Sequence, residues 1–309
     1  MERASIRILS RRYCVDKRSI LKQIHSRSEG VKDGAWIAKK FAPKWTGILA
    51  VDGKVVRVYD KLSRHLSGKV SEQELSWLNK KVWLCGIDCE TGDLPHYELS
   101  EEESKIDLSM YFKTLKEMGY PLRVLVSDGN TDILSAARFV FKKDFIFQLC
   151  TRHFTESLLR HAGASKDDPK IKLLILLIQR VIEAENLDEA SRYLDALRRQ
   201  KQDTKIEKYL IDLFKKHAPD LTAHLFHPEL AIPHTSNDIE NLFRQLNLRL
   251  KSIGRFQKWQ YAREYLKSWA LMRRFTKFTD CRGNRRQRND RAPLEIAGVE
   301  IGGVEWEKL

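Results

Sequence analysis

The chain has 309 residues, 42% of them hydrophobic, and Lys plus Arg outnumber Asp plus Glu by 56 to 42, a formal net charge of +14. That length supports a sizeable buried core in one large or two smaller domains. The longest conspicuous apolar run, Leu173 to Ile178, is too short for a bilayer, and Met1 to Ser5 leads into no signal-peptide segment, so a soluble, intracellular protein without a membrane partner is expected.

The charge is unevenly spread. Residues 1–45 hold 12 basic and 4 acidic residues, residues 241–291 hold 15 and 3, and the rest of the chain is mildly acidic. Two basic arms around an acidic core are the footprint expected of a protein that neutralises a phosphate backbone. A charge run on one helix is more often a solvated face, but here the excess extends through a whole terminal third. The five cysteines, Cys14, Cys85, Cys89, Cys150 and Cys281, form an odd, scattered set that argues for reduced thiols.

Residues 1–44 read as a basic helical segment. Ser5 to Tyr13 is a short helix, Cys14-Val15 a turn, and Asp16 an N-cap for Lys17 to Ile24. This spacing is that of a partial helix-turn-helix, with Lys17, Arg18, Ser19 and Lys22 on the outer face as candidate DNA contacts. An ordinary basic helical hairpin is the competing reading.

Residues 45–155 alternate strands and helices. Ile48 to Asp52 and Val55 to Tyr59 are strand-like, and Val82 to Asp88 with His96 to Leu99 form a hairpin around Glu90-Thr91-Gly92-Asp93. A helix over Ile106 to Met118 leads into the strand that ends at Asp128. Asn130 caps a helix over Thr131 to Lys142, and Phe145 to Leu149 is a further strand. These elements describe an α/β fold, a mixed sheet flanked by helices. Residues 156–232 change to helical periodicity over Ile171 to Glu183, Leu187 to Gln200 and Ile206 to His217, an all-helical insertion whose stripe Ile206, Leu210, Leu213 and Phe214 is core.

Residues 233–280 open on a basic amphipathic helix beginning at Thr235-Ser236-Asn237. Its buried stripe is Ile239, Leu242, Phe243, Leu246 and Leu250, while Glu240, Arg244, Asn247 and Lys251 share a polar face. Glu240 could reach back to an N-cap amide, as in a capping box. A lone acid heading a row of cations is better placed beside metal and phosphate, and Asp238 points away from that row. Further on, Trp259, Tyr261, Tyr265 and Trp269 interleave with cations, some as core and some as base-stacking candidates. Residues 281–309 form a basic tail in which Arg285, Arg286 and Arg288 are candidate phosphate contacts, with Arg244 and Lys251.

Asp52, Asp128 and Glu240 thus close or open secondary elements that can converge on one cleft. Two hard divalent ions need carboxylate oxygens from several parts of a chain, and an Asp, Asp, Glu set fits that chemistry. Cys150 and His153 could be half of a zinc site. No second Cys or His pair of convincing spacing accompanies them, which favours a packing role near the acids.

The order Ala50-Val51-Asp52-Gly53-Lys54, Val126-Ser127-Asp128-Gly129, Cys150-Thr151-Arg152-His153, Thr235-Ser236-Asn237-Asp238-Ile239-Glu240-Asn241 resembles that of DDE transposases, above all the Mutator-like group and related prokaryotic insertion-sequence transposases, over residues 45–280. The resemblance implies a ribonuclease-H-like catalytic domain with Asp52 on the central strand and Asp128 on its neighbour. It also implies two Mg²⁺ (or Mn²⁺) ions on Asp52, Asp128 and Glu240, cleavage at element ends, strand transfer into target DNA, and a homo-oligomer in the DNA complex. Two alternatives stay open: a ribonuclease-H-like nuclease without transposition, and a domesticated transposase that binds DNA without cutting it.

Overall fold

The structure, a computed structural model, describes residues 6–58, 71 and 80–309. Five strands form one mixed sheet: β1 (Ile48–Arg57), β2 (Lys80–Asp88), β3 (Tyr97–Ser100), β4 (Val124–Ser127) and β5 (Ile146–Leu149), in the order β3-β2-β1-β4-β5. β1 pairs antiparallel with β2 and parallel with β4; β2–β3 is antiparallel and β4–β5 parallel. The helices before the sheet are α1 (Ile6–Tyr13), α2 (Lys17–Glu29) and α3 (Gly34–Phe41). Within it come α4 (Lys105–Glu117) and α5 (Thr131–Phe141), and after it α6 (Thr151–Ala162), α7 (Pro169–Ile182), α8 (Leu187–Arg198), α9 (Lys205–Leu221), the short α10 (Ala223–Phe226), α11 (Asn237–Ile253), α12 (Trp259–Phe275) and the short α13 (Pro293–Ile296). None of the described helices is long and apolar enough to cross a membrane.

The apolar run of β1 does not alternate with polar residues because both faces of the sheet are covered. Leu49 and Val51 face a core built with Leu125, Phe112 of α4, Ile133 of α5, Phe154 of α6 and the insertion residues Ile178, Leu210 and Phe214. Ile48 and Ala50 face the opposite core, with Trp83, Val126, Leu242 and Leu246 of α11, and Leu266 and Trp269 of α12. Leu210 and Phe214 are buried as their spacing predicts, with Ile206 and Leu213 packed against them. A third cluster, with Ile37, Leu271, Phe275, Leu294 and Val299, joins α3 to α12 and the C-terminal segment.

Local chemistry explains most element ends. Asp16 accepts hydrogen bonds from the amides of Arg18 (2.8 Å) and Ser19 (3.3 Å), and Asn130 from that of Asp132 (2.9 Å), the N-cap roles read from sequence. The hairpin turn is fastened by the buried Asp88, which accepts from the Thr46 amide at 3.0 Å, Thr91 Oγ1 at 2.8 Å and Tyr120 Oη at 2.8 Å.

The structure departs from the sequence reading in four places. β1 is one ten-residue strand rather than two, because its pairing with β2 runs unbroken through Gly53↔Leu84 to Arg57↔Lys80; Tyr59, the expected strand end, lies outside the described residues. α3 and α6 were not anticipated. Residues 281–309 are docked rather than trailing: the Lys32 amide donates to the Leu309 carbonyl at 3.0 Å and the Lys44 amide to that of Ala297 at 2.8 Å.

Candidate active site

Sheet register brings the first two acids together. β1 and β4 pair at Ile48↔Val124, Leu49↔Leu125 and Ala50↔Val126, and two residues further along the same register stand Asp52 and Asp128. β4 ends at Ser127 while β1 continues, so Asp128 lies just past the carboxyl end of β4, beside Asp52 in the middle of β1.

Asp52 accepts a hydrogen bond from the Gly53 amide at 2.7 Å. Burial, then the Asp128 and Glu103 charges, push its carboxyl up to about 7, against the Gly53 amide and the His153 charge. Asp128 is exposed and accepts from the Asn130 amide at 3.1 Å, while Asn130 Nδ2 donates to Glu103 Oε1 at 3.1 Å. Glu103, in the turn between β3 and α4, is a fourth acid that sequence reasoning missed; burial and the Asp128 charge raise its carboxyl as well. The available signal was Gly53, since a glycine inside a strand marks a close approach by another group. A Cβ there would lie 2.6 Å from Glu103 Oε2.

Glu240 stands one turn into α11, and its neighbours come from α6. Oε2 pairs with Arg152; Oε1 lies 3.2 Å from the Ser236 hydroxyl and 3.9 Å from His153 Nε2. Its carboxylate is therefore engaged by side chains rather than by the N-cap amide of a capping box. Ser236 also donates its amide (3.4 Å) to Cys150 Sγ, which lies 3.3 Å from its hydroxyl. Burial works to raise the Cys150 thiol, but His153 and the Ser236 hydrogen bonds outweigh it and hold the thiol below its ordinary value. His153 is lifted to about 9, chiefly by Cys150 and, against burial, by the charges of Cys150, Glu240 and Asp128.

The metal-ligating atoms of Cys150, His153 and Glu240 lie within 4.8 Å of one another, and among the described residues no other three His, Cys, Asp or Glu side chains do so. The predicted triad is thus split: Asp52 and Asp128 stand on the sheet with Glu103, and Glu240 stands with Cys150 and His153. His153 links the two halves, because it feels the charge of Asp128 and acts on that of Asp52.

The candidate DNA contacts fall into two groups. Arg18 and Lys22 on α2, Arg244 and Lys251 on α11 and Arg286 are exposed; the side chain of Lys17 lies outside the described set. Arg285 is forked onto Asp238, and Arg288 Nη2 donates to the Cys89 carbonyl at 2.6 Å, so both are held by the protein itself. Of the aromatics, Trp269 is core, whereas Trp259, Tyr261 and Tyr265 are half-buried. A comparison with protein-family models found no match to this chain, and neither did a comparison with curated proteins.

Proposed function

We propose that the chain is the catalytic chain of a DDE-type DNA transposase on a ribonuclease-H-like sheet. The observation that carries this reading is the β1–β4 register, which stands Asp52 beside Asp128 with His153 linking them to Glu240. A mixed sheet with one acid on its central strand, another just past the adjacent strand and a helical insertion before the Glu is the arrangement that the resemblance implies.

The acids fit hard divalent cations. Asp52 is held up to about 7 because burial and Asp128 oppose its ionisation, the state expected of carboxylates gathered for a cation that offsets their charge. Asp52, Asp128 and Glu240 would hold two Mg²⁺ or Mn²⁺ ions, whose chemistry when bound is to activate water or a 3′-hydroxyl and to stabilise the leaving oxygen of a phosphodiester. The chain's own residues orient and bind. Asn130 holds Asp128 through its backbone amide and Glu103 through its side-chain amide, and Ser236 and Arg152 hold Glu240. Arg244 and Lys251 continue the positive row along α11, where a nucleic-acid backbone would run.

The test uses the full chain, Mg²⁺ and DNA carrying the sequences that flank its coding region. Cut and joined products are expected, both lost in Asp52→Asn, Asp128→Asn and Glu240→Gln, with Asp238→Asn active. Cutting without joining would favour the nuclease reading; unimpaired cutting by all three acid variants would overturn the proposal.

A further inference from the structure

We propose that Cys150, His153 and Glu240 form a binding site for a thiophilic divalent cation of the zinc class, separate from the hard-ion chemistry of Asp52 and Asp128. The sequence offered only half a site, a Cys-x-x-His pair with no second pair. The fold supplies the third donor from 90 positions away as a carboxylate.

The three donors are held by different means. Cys150 is the last residue before α6 and is fully buried; His153 follows within the first turn of that helix, so both project toward the start of α11. Glu240 turns Oε1 toward them because Arg152 occupies Oε2. Ser236 hydrogen-bonds to the sulfur and to Oε1, the kind of outer contact that orients ligands around a metal.

Distances and donor types both point to zinc. Bonds of about 2.0–2.3 Å place tetrahedral donors roughly 3.5 Å apart. The three ligand atoms here lie within 4.8 Å of one another, which small side-chain rotations can close. A thiolate and an imidazole select zinc-like ions over magnesium, and three protein donors leave a fourth position for water.

The site competes with the transposase reading for Glu240, whose two oxygens it and Arg152 would occupy, but does not rest on that reading, because its test reads binding rather than DNA cleavage. The chelator-treated full chain is titrated with Zn²⁺ against a chromophoric competitor, and with Co²⁺ as a spectroscopic probe. One equivalent should bind, with a sulfur-to-cobalt charge-transfer band and the intense visible bands of a tetrahedral ion. Cys150→Ser should remove the charge-transfer band, and Cys150→Ser, His153→Gln and Glu240→Gln should each weaken Zn²⁺ binding by more than about tenfold. Asp52→Asn should bind Zn²⁺ normally. Absence of stoichiometric binding or of the charge-transfer band in the unaltered chain would overturn the proposal whether or not any variant folds. So would a band that survives Cys150→Ser, or equal loss of binding in a folded Asp52→Asn.

Discussion

Arg285 grips Asp238 through both terminal guanidinium nitrogens, Nη2 at 2.8 Å from Oδ2, and so ties the C-terminal segment to the first turn of the helix that carries Glu240. A positive charge that composition assigns to phosphate is thereby spent inside the protein. Asp238 is 9% exposed and Arg285 37%, which places the pair between a surface and a buried ion pair. Arg285→Ala should cost about 1–3 kcal/mol in denaturant unfolding, with the loss reduced when Asp238→Asn is present. Arg286→Ala should leave unfolding unchanged and lower the log-log salt slope of DNA binding by about one unit. A larger slope change from Arg285→Ala than from Arg286→Ala would show that the ion pair opens on DNA.

Asp52 and His224 pull the pH dependence of stability in opposite directions. Asp52, at about 7 against 3.8, binds its proton more tightly in the folded state, so its contribution is fully present below pH 3.8 and lost as pH rises through about 7. His224, pushed down from 6.5 to about 4 by burial and by the stacked His234, contributes stability present above pH 6.5 and lost as pH falls through about 4. Metal-free thermal melts across this window should show partial cancellation in the unaltered chain. Asp52→Asn should leave a stability that falls on acidification, and His224→Asn one that falls as pH rises. Parallel profiles for all three proteins would refute both assignments.

Gly53 leaves room for Glu103. A Cβ would lie 2.6 Å from Glu103 Oε2 and 2.8 Å from Val82 Cγ1, so Gly53→Ala should destabilise by about 1–3 kcal/mol through overpacking. Adding Glu103→Ala should recover part of that loss, read as a coupling energy in a double-mutant cycle. Strict additivity would mean that the added methyl group is accommodated without displacing Glu103.

Arg274 carries a charge with no solvent exposure, bonded through Nε and Nη2 to the equally buried Asp93, each at 2.8 Å, with Trp45 Nε1 donating to the same carboxylate at 2.8 Å. Arg274→Met strands a buried carboxylate and should cost about 3–5 kcal/mol. Arg274→Met with Asp93→Asn should be less destabilised than Arg274→Met alone, measured by chemical denaturation.

The sheet and its two acids were legible because the signals that make them are local. Two short apolar runs ending in Asp52 and Asp128 need only a parallel register to meet, and cap residues such as Asp16 and Asn130 announce their helices within three positions. Glu240 was legible as the lone acid on the basic face of an amphipathic helix, but its partners were not: Cys150, Arg152 and His153 lie at the start of a different helix, and nothing in the spacing of either segment states their contact. Glu103 was hidden in a run of three acids that reads as a solvated turn, and Gly53, its counterpart, reads as an ordinary strand residue. The docked tail was misread for a related reason. Arginine-rich composition looks the same whether the charges face phosphate or, like Arg285 and Arg288, acceptors on the protein.

The helical insertion begins and ends at nearly one point: the Thr151 amide donates to the His234 carbonyl at 3.0 Å, and the Ser236 hydroxyl meets Cys150 Sγ across a sequence separation of 86. A closed loop of this kind is tolerant of length, since doubling it adds only about 0.6 kcal/mol of closure entropy. Helices could therefore be added or exchanged within it over evolutionary time while the first turn of α11 stays anchored. The same geometry orders folding, because contacts of such long range form only after the chain between them has been gathered in. A chain that has built its sheet but not closed this loop holds Asp52 and Asp128 in register while Glu240 has still to arrive.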